Sequence, residues 1–142
     1  HWADFPHGHI DGHPYDFSFS GVKTSVINHL HNMEQKGETY RVEDVAASFQ
    51  RAVVDVLVEK TMMAARDLGV DKIALAGGVS ANSKLRSAFK ERCEGEGIEL
   101  YYPPIELCTD NAAMIGSAAY YNFIHGDVAD LTLNAYPNLP IV

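Results

Sequence analysis

Three features of the 142-residue sequence predict an α/β fold with a parallel strand pair joined by a crossover helix. A long apolar stripe at helical spacing runs from Val42 to Leu68. Two short apolar runs, Lys72 to Ala76 and Ile98 to Tyr102, have the length of buried strands, and the segment between them carries helical periodicity. From Val42 onward the order is therefore helix, strand, helix, strand, helix, and such an order folds as a sheet layered with helices.

Residues 1–14 mix proline, glycine and histidine without periodicity and predict an irregular lead-in. Tyr15-Asp16-Phe17-Ser18-Phe19 alternates aromatic and polar residues as a half-buried strand does, and Ser20-Gly21 breaks it. Val22, Val26, Ile27 and Leu30 then predict a helix to about Met33, with Gly37 closing the segment.

The stripe of the long helix is Val42, Val45, Ala46, Phe49, Ala52, Val53, Val56, Leu57, Met63 and Ala64, which predicts one core-facing side. Glu43 and Asp44 suit its positive N-terminal end, and Gly69 suits its exit.

After the first strand, a helix from Ser80 to about Cys93 is expected to turn Leu85 and Phe89 inward, and Pro103-Pro104 stops the second strand. Thr109 or Asp110 can N-cap the last helix, which runs to about Phe123 and ends at His125-Gly126. Its apolar residues surround most of the circumference, so burial and close packing are expected. Asp127 to Val142 reads as an extended surface tail. The chain thus divides into a mostly helical part (15–70), a strand-helix-strand-helix part (71–125) and a tail (126–142). A sheet of two strands is small, so further strands are expected from sequence outside this chain.

Composition excludes several classes. The 11 basic against 19 acidic residues give a net charge of -8, which lacks the basic footprint of a nucleic-acid grip. Cys93 and Cys108 fit no disulfide framework or zinc-finger spacing and are read as free thiols in a reducing, cytoplasmic setting. No run reaches the roughly 18 apolar residues of a membrane span. His7, His9 and His13 match no standard metal site, and His29 and His31 point to different sides of one helix. Lys23, Lys84 and Arg86 read as solvated surface charges. Ser18 and Ser20 lack the glycine elbow of a serine hydrolase.

Two constellations carry chemistry. Ala76-Gly77-Gly78-Val79-Ser80-Ala81-Asn82 places a glycine pair between a strand and a helix, where the backbone can approach a ligand closely and unpaired N–H groups favour anions. The same pair also suits a plain strand-to-helix turn. Cys108-Thr109-Asp110-Asn111 places a carboxylate before a helix, as a hard metal ligand or simply as a cap. Both follow strand carboxyl ends, where α/β folds bind ligands, so one rim is expected to carry both.

These two runs, continued through Ser83-Lys84-Leu85-Arg86 and Ala112-Ala113-Met114-Ile115, together with Asp16-Phe17-Ser18-Phe19-Ser20-Gly21-Val22-Lys23-Thr24, closely resemble the bacterial tRNA adenosine threonylcarbamoyltransferase family, whose older name is O-sialoglycoprotein endopeptidase or glycoprotease. The resemblance spans about Asp16 to Phe123 and corresponds to the C-terminal portion of the family. It implies part of an actin-like ATPase (ribonuclease H-like) lobe with an inserted helical segment. It also implies an acyltransferase that moves threonylcarbamoyl from threonylcarbamoyl-adenylate to the exocyclic amine of the adenosine beside the anticodon.

By the same resemblance Asn82 contacts the substrate, Gly77, Gly78 and Ser80 of the same loop are substrate-binding residues with it, and Asp110 is a metal ligand. The implied cofactors are one divalent metal, iron or alternatively zinc, and a nucleotide (ATP, ADP or the acyl-adenylate). A histidine pair from the family's N-terminal half completes the implied metal site. The implied partners are that missing N-terminal half, tRNA and other proteins of the threonylcarbamoyladenosine pathway, with no membrane. The chain alone is then expected to be inactive. Two other readings are an actin-like nucleotide-binding module of sugar-kinase or chaperone-ATPase type, and an inactive fragment serving in protein interaction.

Overall fold

The structure is a computed structural model that describes residues 3–6, 10 and 12–138. It divides into two compact units between Cys108 and Thr109. In the first, helix α1 (Ser20–Lys36) precedes helix α2 (Val42–Leu68), strand β1 (Lys72–Ala74), helix α3 (Ser83–Glu96) and strand β2 (Glu99–Tyr101). The second holds helix α4 (Ala112–Ile124) and the segment after it.

The predicted parallel pair is present. Strands β1 and β2 run parallel with Lys72 opposite Glu99, Ile73 opposite Leu100 and Ala74 opposite Tyr101. Backbone bonds from Glu99 N–H to the Asp71 carbonyl (2.8 Å) and from Leu75 N–H to the Tyr101 carbonyl (2.8 Å) extend the pairing at either end. Helix α3 is the crossover, and the inward residues expected on it, Leu85 and Phe89, are buried together with Cys93.

Helix α2 has the predicted bounds, and Gly69 ends it in the left-handed conformation, its N–H bonded to the Ala65 and Arg66 carbonyls. The single stripe expected for it is corrected. Val54, Val58, Met62 and Ala65 form one buried row against Ile73, Leu85, Phe89 and Cys93. Val45, Ala52, Val56 and Lys60 form a second, and Ala52 meets Phe5 and Val22. The rows are offset by two residues, which at 3.6 residues per turn sets them on opposite faces. Helix α2 is thus covered on both sides, while Val42 (70 % exposed) and Phe49 (40 %), both in the predicted stripe, remain exposed.

The strand expected over Tyr15 to Phe19 does not form; the segment is turn and coil. Among the described residues the sheet has two strands and offers this segment no pairing partner. Side chains of α2 hold it instead. The buried Lys60 donates to the Asp16 carbonyl, and the Tyr15 hydroxyl donates to Asp67 Oδ2 at 2.9 Å. Phe17 and Phe19 stack in parallel with centroids 6.1 Å apart.

Helix α4 matches its predicted extent but has no buried residue, contrary to the close packing expected of it. Apolarity around a helix signals a need for cover, and the neighbours that satisfy that need are not specified by the helix itself. No helix among the described residues is long and apolar enough to cross a membrane.

Candidate functional site

Strand β1 runs out through Leu75 and Ala76 into Gly77, whose backbone (φ 82°, ψ 168°) lies in a region open essentially to glycine alone. Space around it is open, since a Cβ built there meets nothing within 4 Å. Gly78 opens a single 3-10 turn, Gly78–Ala81, which replaces the α-helical start expected at Ser80. Ala76, Gly77, Gly78 and Val79 are exposed, so this turn presents bare backbone at the carboxyl end of the strand. Ser80 points the other way. It is buried, and its hydroxyl has no partner among the described residues.

Asn82 is the N-cap of α3. Its Oδ1 accepts the Leu85 N–H at 3.0 Å, and its Nδ2 donates to Gln50 Oε1 at 3.0 Å. A side-chain amide has two donor hydrogens and two acceptor lone pairs. One of each is used here, and one of each is left for a ligand. Gln50 has no signal in the sequence, because only the packing of α2 against α3 brings it to Asn82. With Phe19, Phe49, Val53 and Val79, this amide pair lines a largely apolar groove of about 440 Å³. A larger depression, about 690 Å³, includes Asp44, Arg51, Asp55 and Lys84. There the Arg51 guanidinium already pairs with Asp55 at 3.4 Å, and the glycine turn takes no part in the lining.

Arg86, expected at the solvated surface, is tied down. Its Nε donates to the Ser80 carbonyl, and its Nη2 to the Pro103 carbonyl at 2.7 Å and to Cys108 Sγ at 3.0 Å. The guanidinium carbon lies 4.7 Å from the centre of the Tyr102 ring, a cation–π distance. Cys108 is buried as expected and also hydrogen-bonds, its thiol donating to the Pro104 carbonyl at 3.4 Å.

In the second unit, neither Thr109 nor Asp110 caps α4. Asn111 does so, its Oδ1 accepting the Met114 N–H at 2.9 Å while its Nδ2 donates to the Thr109 carbonyl at 2.9 Å. Its longer extended backbone (φ -151°, ψ 155°) is the ordinary N-cap geometry, and Asp110, one residue earlier, is left exposed. One carboxylate does not hold a transition-metal ion. Among the described residues no group of three or more His, Cys, Asp or Glu side chains gathers as a metal site. The described residues therefore do not make a metal centre by themselves. His9 and His13 do stand four apart, but His7 and His9 lie outside the described residues. His13 is in a turn, exposed, with Nδ1 3.4 Å from Asp16 Oδ2.

Titration tendencies away from the glycine turn follow local contacts. Burial, with Glu96 nearby, pushes the Cys93 thiol up. The hydrogen bond from Tyr101 to Glu99 raises the phenol, and that from Tyr15 to Asp67 does the same.

A parallel β-α-β unit with a glycine-hinged turn and a capping amide at the strand's carboxyl end defines a mixed α/β protein of the kind that holds ligands beyond its strand ends. The family model described as tRNA N6-adenosine threonylcarbamoyltransferase (TsaD) matches residues 2–117, and the chain belongs to that family. A tRNA N6-adenosine threonylcarbamoyltransferase of Clostridioides difficile (strain 630) is 53% identical over 141 residues, covering 99% of this chain and 42% of the relative. Proteins of the same description from Clostridium botulinum (strain Kyoto / Type A2) and Caldicellulosiruptor saccharolyticus are 53% and 49% identical over 137 and 138 residues. These alignments cover 96% and 97% of this chain and 40% of each relative. The chain thus spans about two-fifths of the length of the curated relatives it matches.

Proposed function

We propose that this chain supplies part of the substrate site of a tRNA threonylcarbamoyltransferase and works within a longer polypeptide of actin-like ATPase fold. The observation that carries this reading is Asn82. It is fixed at both ends of its amide by α3 and Gln50, retains one donor and one acceptor, and follows a glycine turn that exposes backbone. A group locked in this way binds without paying to be ordered.

In this reading Gly77 and Gly78 let the acyl-adenylate approach the backbone and Asn82 hydrogen-bonds it. Ser80 shapes the loop from beneath through its buried side chain and its bonded carbonyl. The reaction joins the exocyclic nitrogen of adenosine to the carbonyl carbon of the threonylcarbamoyl group. The bond from that carbon to the AMP phosphate oxygen breaks, the amine loses a proton, and AMP leaves. No protein nucleophile is required, so the chain's contribution is positioning.

Asp110 is proposed as one ligand of a divalent metal, iron or zinc, whose other ligands come from outside the described residues. The exposed apolar circumference of α4 is proposed to be covered by further sequence of the same polypeptide, the source also of the missing site residues. tRNA and other proteins of the modification pathway are its proposed partners, in the cytoplasm. The acidic balance of -8 supports a tRNA grip made mainly by those other regions.

The test is transfer activity of a longer polypeptide carrying this chain. Asn82→Ala is expected to weaken acyl-adenylate binding, and Asp110→Ala to lower both bound metal and transfer. Unchanged transfer and metal content in both variants would refute the assignment.

A further inference from the structure

We infer that Arg86 is a positioning residue for the Asn82 loop, clasping it to the loop that leaves strand β2. This deepens the proposed substrate role of that loop and rests on it. Strands β1 and β2 are parallel, so both loops leave the sheet at the same end. Each brings a carbonyl that the sheet does not pair: Ser80 at the end of the 3-10 turn and Pro103 just past β2. Arg86 sits one turn into α3, behind Asn82, and its backbone N–H bonds the Asn82 carbonyl at 3.1 Å. From there one guanidinium reaches both loop carbonyls and, through Cys108 Sγ, a third point held in turn by the Pro104 carbonyl. The Tyr102 ring stacks on it.

Bonds from a charged donor to carbonyls are stronger than neutral ones, and a planar guanidinium sets direction as well as distance. A lysine ammonium at the same position cannot reproduce the fork. The consequence falls on Asn82, because it lies between the clasped Ser80 carbonyl and the helix turn that bears Arg86. If the clasp opens, the Asn82 amide keeps its bonds to Leu85 N–H and Gln50, but the Ser80 carbonyl is no longer tied to the Pro103 loop, so the Gly77–Ala81 turn loses its fixed offset from the strand ends.

The experiment uses the longer polypeptide with Arg86→Ala, Arg86→Lys and Asn82→Ala, following amide hydrogen exchange and transfer kinetics. Removing the clasp should speed exchange over residues 77–82 and 103–108 while the core amides of residues 87–93 stay as slow as before. It should raise KM for the acyl-adenylate and lower kcat/KM by about 10- to 100-fold, with partial recovery of the Ala variant in methylguanidinium. If the Ala variant does not fold, Arg86→Lys gives the same readings in smaller measure.

Unchanged exchange in both loops would overturn the inference. So would a uniform rise that includes residues 87–93, or a fall in kcat alone with KM unaltered, which marks a loss of folded enzyme. Asn82→Ala separates the two proposals. If it leaves transfer intact, the loop is not a substrate site, yet the exchange pattern of Arg86→Ala still decides whether the clasp exists.

Discussion

Helices α2 and α4 are both rich in apolar residues, yet α2 buries eight side chains and α4 buries none. In α2 polar residues interrupt the apolar ones at intervals that leave two rows, and each row has a partner: the β-α-β unit on one side, α1 and the segment around Phe5 on the other. In α4 there is no polar face to mark the solvent side, and Met114, Ile115, Tyr120, Tyr121, Phe123 and Ile124 are all largely exposed. An apolar pattern therefore states how much surface must be covered. Which surface covers it is decided by the rest of the fold.

The largest effect that can break this comparison is a cavity in α2. Met62 is fully buried against the β-α-β unit, its Sδ 3.9 Å from Cys93 Sγ, so Met62→Ala is expected to destabilise the chain by about 2–5 kcal/mol. Denaturant unfolding measures it, and a loss of under about 1 kcal/mol would mean that α2 is not packed as described. Phe123→Ala in α4 is the matching experiment. At 72 % exposure it should shift the stability of this chain by no more than about 0.5 kcal/mol, whereas in the longer polypeptide the cost should rise severalfold. Equal, small effects in both settings would contradict the proposed cover for α4.

Next in size is Gly77→Ala. No atom obstructs the new Cβ, so its expected cost of about 1–3 kcal/mol comes from backbone strain at positive φ. A neutral result would show that the turn can relax, and would weaken the case that it is preformed. Asn82→Ala removes a cap worth about 1 kcal/mol, and Asn82→Asp, which keeps the capping oxygen but not the donor to Gln50, separates capping from ligand contact.

The smallest effect concerns thiol reactivity. Burial raises the Cys93 pKa, so the protonated form persists to higher pH than in an unfolded chain, and its alkylation near neutral pH should be slow until denaturant is added. Rapid native-state labelling of Cys93 would contradict the α2–α3 packing.

Sequence periodicity revealed α2 to the residue, the parallel strands to within two residues at each end, and the inward side of α3, because these are local patterns backed by glycine and proline punctuation. It named Val45, Ala52 and Val56 but not the opposite row of Val54, Val58, Met62 and Ala65, since a helix covered on both faces resembles one broad stripe. Alternation in Tyr15 to Phe19 suggested a strand, but pairing requires a neighbour, and Lys60 and Asp67 took hold of the segment first.

At the candidate site the glycine turn and the asparagine were legible because backbone freedom and capping are written in residue type. Gln50 and the Arg86 clasp were not, as the Gln50–Asn82 bond spans 32 positions of sequence and the Arg86–Pro103 bond 17. Residue type also placed the α4 cap one position early. Thr109, Asp110 and Asn111 can all cap, and only backbone conformation chooses Asn111.

The most direct measurement is calorimetric titration of a stable threonylcarbamoyl-adenylate analogue into a longer polypeptide that carries this chain, into its Asn82→Ala variant, and into the 142 residues alone. Saturable binding by the longer polypeptide is expected, with at least about tenfold weaker binding by the variant for one lost hydrogen bond of about 1.5 kcal/mol, and none by the 142 residues. Undiminished binding by Asn82→Ala, or tight binding by the 142 residues on their own, would contradict the claim that the Gly77–Asn82 turn is one wall of a site completed elsewhere.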